Sequence, residues 1–388
     1  KGGINMSFDE LDLDDRVILG IKKFNFEEPT KIQKATIPLI LEKRDVLGIA
    51  PTGSGKTLAY LIPTLNWIYN AKLNHDHPSI LILVPTRELV KQVDLVLKEL
   101  LIGIEINVVN IFAGPREGKQ IRAIQNQNFI DIVIATPGRL LKFVEKDIIN
   151  LSLVSMLVMD EVDTILDLGF IVDILDLMRY LPIKNKRQTL IYGATISKEI
   201  EGIIGELMNN PQEINIDDGR MPSEIIHEAY KLNLADKYDV LRNLLLSEEV
   251  EKVIIFTQSK HETRITARNL KRDGLELEEI HGGLTQRQRS KAMDNFRLNY
   301  VNCLVASDLV SRGLDIGGVS HIINYDVPND IETYLHRSGR TGRAGNKGKS
   351  WLLVSPKEEK NLKNLKEKLN LNIENIMMYN FDKENNMN

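Results

Sequence analysis

A single cysteine, Cys303, stands in 388 residues, which excludes an intrachain disulfide and suits a reducing compartment. Aromatics are only 6% of the chain, and its two tryptophans, Trp67 and Trp351, read as packing residues in a helix and a strand. No apolar run approaches the ~18 residues of a membrane span, and the basic N-terminus lacks the apolar stretch of a secretory signal. An intracellular, cytoplasmic setting is therefore expected. Histidines are few, and His75, His77 and His261 have no metal-ligand spacing. Charge of neither sign dominates, with 50 Lys and Arg against 54 Asp and Glu. That balance withholds the global signature of a polyanion binder but leaves a local basic patch open. Neither a repeat at solenoid spacing nor a low-complexity tract is present.

What the chain has in quantity is short β-branched runs separated by segments with helical apolar spacing. They fall at 45–50, 79–85, 107–112, 131–136, 155–160 and 189–194, then at 252–257, 302–307, 319–325 and 349–355. Nearly continuous apolar runs mark parallel strands buried on both faces, and their alternation with helices predicts stacked βαβ units. The expected fold class is α/β, with a mostly parallel sheet flanked by helices in each half. The stretch "NPQEINIDDGRMPSE" (210–224) has two prolines, a turn signal and no period. The expected division is a first domain over 1–215, a linker over 216–224, a second domain over 225–375 and a polar tail over 376–388. "KEEKNLKNLKEKLN" (357–370) reads as an amphipathic helix with interleaved charges.

Two motifs carry chemistry. "APTGSGKT" (50–57) follows the first buried run and precedes a helical segment, as a phosphate-binding loop requires. Thr52, Gly53, Ser54 and Gly55 would turn backbone N–H groups around an anion, Lys56 would neutralise the β- and γ-phosphates, and the Thr57 hydroxyl would ligate Mg²⁺. "LVMDEVDTILDLGF" (157–170) puts Asp160, Glu161 and Asp163 at the end of another buried run. Acidic residues also suit a helix N-terminus. As partners of the phosphate loop, on a strand expected next to it, Asp160 would hold Mg²⁺ and Glu161 would orient or deprotonate the attacking water.

With these motifs in hand, the chain resembles the DEAD-box family of ATP-dependent RNA helicases over about residues 7 to 355. The resemblance implies two RecA-like domains, with ATP in the cleft between them. "FNFEEPTKIQ" is similar to the adenine-recognising Q motif, with Phe26 stacking on the ring, Gln33 reading its edge, and Asn25 where the family usually has Gly. "VPTRELV", "FAG" and "ATPGRLL" imply RNA contacts by Arg87, Gly114, Thr136, Gly138 and Arg139. "HGGLTQRQR" and "ASDLVSRGLDI" imply further RNA contacts by His281, Gly282, Gln286, Arg289, Ser307 and Gly313, with Asp315 on the ATP ribose. "YLHRSGRTGRAG" implies arginine fingers, Arg340 and Arg343, on the γ-phosphate. Asp163, Thr195 and His336 are implied in coupling ATP to RNA.

Four further positions depart from the family pattern: Val162 for Ala, Gly193 for Ser, Gly283 for Asp and Ser307 for Thr. The first two are expected to compensate sterically. The activity implied is ATP-dependent strand separation with little sequence preference, by a monomer whose turnover protein cofactors could regulate. Two other readings stand beside it: an ATP-dependent RNA clamp with slow hydrolysis, and a DNA helicase of the same superfamily.

Overall fold

The computed structural model describes residues 7–24, 26, 28–51, 53–70, 78–103, 106–114, 117–127, 129–196, 198–216, 225–246, 250–308, 318–342, 347–369, 373 and 375–378. At 198–200, 286, 290, 332 and 375–378 it describes the backbone alone. The chain forms two compact units, Lys1–Asp218 and Gly219–Asn388.

The first unit holds strands β1 (Val46–Ile49), β2 (Ile80–Leu83), β3 (Val108–Ile111), β4 (Ile132–Ala135), β5 (Met156–Met159), β6 (Gln188–Gly193) and β7 (Gln212–Asn215). All pair in parallel, in the order β3-β4-β2-β5-β6-β1-β7. Successive side chains alternate between two cores, which is why the strands read as unbroken apolar runs. Ile80 and Ile82 pack with Ile37, Leu61 and Val93 on one side. Leu81 and Leu83 pack with Leu140, Ile165 and Ile174 on the other.

The second unit holds β8 (Ile225–Lys231), β9 (Val253–Thr257), β10 (Leu277–Ile280), β11 (Cys303–Ser307), β12 (His321–Asn324), β13 (Gly348–Val354) and β14 (Asn375–Met378). Their order, β10-β11-β9-β12-β13-β8-β14, repeats that of the first sheet strand for strand. Every pair is again parallel. Cys303 is buried in β11, where burial pushes its thiol up to about 12 and leaves it an inert core residue. Trp351 is buried in β13 and donates its indole N–H to Glu228 at 2.6 Å, while Trp67 packs half-buried against the first core.

Four strands escape the periodicity reading. β7 and β14 are edge strands; β7 lies in the aperiodic stretch 210–224, and β14 falls almost wholly in the expected tail. In β8 and β10 charged residues interrupt the apolar runs. Among the described residues no helix is long and apolar enough to cross a membrane.

Candidate active site

In the first unit every motif after the Q motif lies beyond the C-terminal end of a strand, the usual ligand edge of a parallel sheet. The order β3-β4-β2-β5-β6-β1 sorts them. Gly114, Thr136 with Gly138 and Arg139, and Arg87 follow the neighbours β3, β4 and β2; the phosphate loop follows β1. The acidic motif follows β5, and Gly193 with Thr195 follows β6, so these two sit between the groups. One expectation is corrected here. The acidic strand is not adjacent to the phosphate-loop strand, because β6 inserts between β5 and β1 and pairs with both.

Gly53 and Gly55 have φ of 83° and 94°, a backbone that glycine adopts without strain. Lys56 opens the helix Lys56–Asn70 and is buried, its ammonium donating to the carbonyls of Ala50 at 2.5 Å and Pro51 at 3.0 Å. Ser54 Oγ is buried without a hydrogen-bond partner among the described residues. Gln33 is also buried. Its Oε1 accepts the Thr30 N–H at 2.9 Å and its Nε2 donates to the Gly55 carbonyl at 3.0 Å, tying the Q-motif helix to the loop. Phe26 is 45% exposed and stacks on Phe24 with centroids 5.6 Å apart.

Beyond β5 the chain turns sharply, because Glu161 adopts a left-handed backbone (φ 49°, ψ 50°) and caps the helix Val162–Asp167. Asp160 is buried and accepts the Tyr60 hydroxyl at 2.9 Å and the Glu161 N–H at 2.9 Å. Burial and the neighbouring Glu161 carboxylate push its carboxyl up to about 6, against the pull of Lys56. Glu161 Oε2 is buried and has no hydrogen-bond partner among the described residues. Two crowded carboxylates, one with an orphaned oxygen, form a site that a divalent cation would neutralise, so Asp160 and Thr57 fit the expected Mg²⁺ ligands. Asp163 faces the other way. Its Oδ2 accepts the N–H groups of Ala194 at 2.7 Å and Thr195 at 3.1 Å.

The basic residues of the first unit are propped on aromatic rings: Arg87 lies 5.1 Å from the Phe112 centroid and Arg139 lies 5.7 Å from that of Phe143. Gly138 lies close enough to Asp173 that an added Cβ would stand 2.9 Å from its carboxylate. Gly114, at φ 121°, is exposed. Thr136 is buried at the start of the helix Pro137–Glu145.

The second unit gathers its motifs in the same way. His281 and Gly282 follow β10, Ser307 ends β11, and the stretch "FTQS" (256–259) spans the end of β9, again three neighbouring strands. His281 is buried, which lowers its pKa, and its Nδ1 accepts the Gly283 N–H at 3.0 Å. Arg289 donates to the Gly282 carbonyl at 3.2 Å. His336 lies in the helix Ile331–Ser338, and buried Arg340 follows it, donating from Nε to the His336 carbonyl at 3.2 Å. Thr52, Gly313, Asp315 and Arg343 lie outside the described residues, as does the Gln286 side chain.

Two features escaped the sequence reading. Arg337 makes a bidentate ion pair with Asp308, at 2.6 and 2.7 Å, joining two motifs of the second unit. Its position directly after His336 was the available signal. The repeated strand order also shows that Lys237 opens the helix after β8, as Lys56 does after β1, and that Asp326 follows β12 as Asp160 follows β5. In the second unit the pair is closed: Lys237 lies 3.3 Å from Asp326 and 2.8 Å from Glu358, and is 3% exposed. Its ammonium is already neutralised by protein carboxylates.

Residues 30–203 match the DEAD/DEAH box helicase family and residues 236–345 the helicase conserved C-terminal domain. The chain belongs to the DEAD-box helicases. It is 38% identical to the ATP-dependent RNA helicase CshA of Listeria monocytogenes over 90% of this chain and 66% of that protein. It is 37% identical to the DEAD-box ATP-dependent RNA helicase CshA of Bacillus subtilis over 93% and 72%. The chain thus spans about two thirds of the length of these relatives. Among solved structures, it resembles S. cerevisiae Dbp5 bound to RNA and ADP BeF3, with a TM-score of 0.83 at 28% identity, over 96% of this chain and 95% of that one. Mss116p bound to ssRNA and AMP-PNP gives 0.88 at 26% identity, over 98% and 81%.

Proposed function

We propose that this chain is an ATP-dependent RNA helicase that couples ATP binding and hydrolysis to local RNA strand separation, and that it works in the cytoplasm as a monomer. The observation that carries the reading is the end of β5. There Asp160 meets the phosphate-loop helix at Tyr60, while Asp163 holds the backbone of Ala194 and Thr195.

In this mechanism the loop N–H groups and Lys56 hold the ATP phosphates, and Gln33 fixes the loop against the Q-motif helix, where Phe26 and Gln33 meet the adenine. Asp160 and Thr57 would hold Mg²⁺, which supplies charge neutralisation at the β- and γ-phosphates. Glu161 orients the attacking water and takes its proton. Arg340 and Arg343 meet the charge that develops on the γ-phosphate, and Asp315 binds the ribose. Arg87, Gly114, Thr136, Gly138 and Arg139 contact the RNA backbone from the first unit. His281, Gly282, Gln286, Arg289, Ser307 and Gly313 do so from the second. Phosphate-directed contacts of this kind carry little sequence information. Asp163, Thr195 and His336 transmit the state of one site to the other.

A second reading, an RNA clamp whose hydrolysis needs a protein partner, draws on Gly193. Without a serine hydroxyl there, Asp163 meets this segment through the backbone N–H groups of Ala194 and Thr195. Glu161→Gln separates the stages of the cycle. Filter binding with ATP should show RNA retained on this variant and released by the parent chain as ATP is consumed. Equal release from both would remove Glu161 from its assigned role.

A further inference from the structure

Tyr60 has no place in the sequence motifs, yet its hydroxyl holds Asp160, the carboxylate assigned to the cation. Tyr60 sits one helical turn after Lys56, is fully buried, and its hydroxyl donates to Asp160 Oδ2 at 2.9 Å. A carboxylate held at both oxygens, by the Tyr60 hydroxyl and by the Glu161 N–H, keeps a fixed rotamer. The ring itself is wedged in place: it packs against Tyr192, with centroids 5.7 Å apart. Tyr192 in turn lies so close over Gly48 that a Cβ there would stand 2.5 Å from its ring.

We propose that Tyr60 is a positioning residue for Mg²⁺, its phenol holding Asp160 in the orientation that ligates the ion. The proposal rests on the assignment of Asp160 and Thr57 as the metal ligands. Tyr60 acts on the metal through Asp160 and touches no reacting atom. Its work is done before nucleotide arrives, because the hydrogen bond exists in the protein alone.

The test measures a fluorescent ADP analogue binding to the full chain, once with Mg²⁺ and once with EDTA, and takes the ratio of affinities. Tyr60→Phe keeps the ring and removes only the oxygen, and losses of about tenfold are usual when such an outer partner of a metal ligand is removed. The ratio should fall about tenfold in Tyr60→Phe, with the EDTA affinity unchanged. Tyr192→Phe, which trims the neighbouring ring, should leave the ratio intact, so a mere packing effect would show itself by moving both variants alike and would overturn the proposal. Asp160→Asn should collapse the ratio. If Asp160→Asn collapses it and Tyr60→Phe retains it, the role given to Tyr60 is wrong. If Asp160→Asn retains it, the metal assignment fails, and the role of Tyr60 with it.

Discussion

Val162 and Gly193 fit each other closely: a Cβ on Gly193 would stand 3.1 Å from Val162 Cγ1 and 3.1 Å from the Thr195 carbonyl. Val162 is 1% exposed, so it has little room to retreat. Gly193→Ser should therefore destabilise the first unit by about 1–2 kcal/mol, an overpacking cost. Val162→Ala should cost a similar amount by leaving space. The double variant should lose less than the sum, since each change relieves the other. Urea unfolding of the four proteins measures the coupling; strict additivity would mean that the two positions do not compensate.

Lys237→Met should be among the most damaging single changes in the second unit. It leaves Asp326 and Glu358 without their buried counter-charge. Breaking one side of a buried pair costs about 3–5 kcal/mol. Asp326 also accepts the Gln258 N–H at 2.9 Å, so the "FTQS" segment should loosen as well. Hydrogen exchange at Gln258 reads that directly.

Glu262 gives a pH prediction. Burial and the adjacent Asp326 carboxylate push its carboxyl up to about 7 from 4.5. The folded protein then binds a proton more tightly than the unfolded chain. That contribution is fully present below about pH 4.5 and is lost as pH rises through about 7. Glu262→Gln, always neutral, should be more stable than the parent at pH 8, with the difference closing towards pH 5. Thermal melts across this range check the sign.

Arg87 and Arg289 each carry a buried Nε without a hydrogen-bond partner among the described residues. Replacing either with alanine should weaken single-stranded RNA binding across unrelated sequences alike. It should also reduce the slope of log K against log salt by about 0.7 for each phosphate that the protein no longer neutralises. A change in base preference instead would point to base readout.

Much of the site was legible because parallel sheets place their ligand loops directly after apolar runs, and "DIVIAT", "SMLVMD" and "NCLVAS" each run into such a loop. The neighbourhood of the loops was harder to read. Nothing local in "TLIYGA" says that its strand inserts between β1 and β5, since register and order are set by packing. Nothing local marks Tyr60 either, because its hydroxyl meets Asp160, 100 positions away. The matching strand orders of the two sheets left no trace as a repeat, because what is preserved is topology and not residues.

The most direct test of the central claim is steady-state ATP hydrolysis by the full chain with and without single-stranded RNA, alongside Glu161→Gln and Arg340→Ala. RNA should raise kcat in the parent. Each variant should lose about 10²-fold or more of the stimulated rate while binding ATP within a few-fold of the parent. Turnover indifferent to RNA, or a Glu161→Gln variant hydrolysing ATP at the parent's rate, would contradict it.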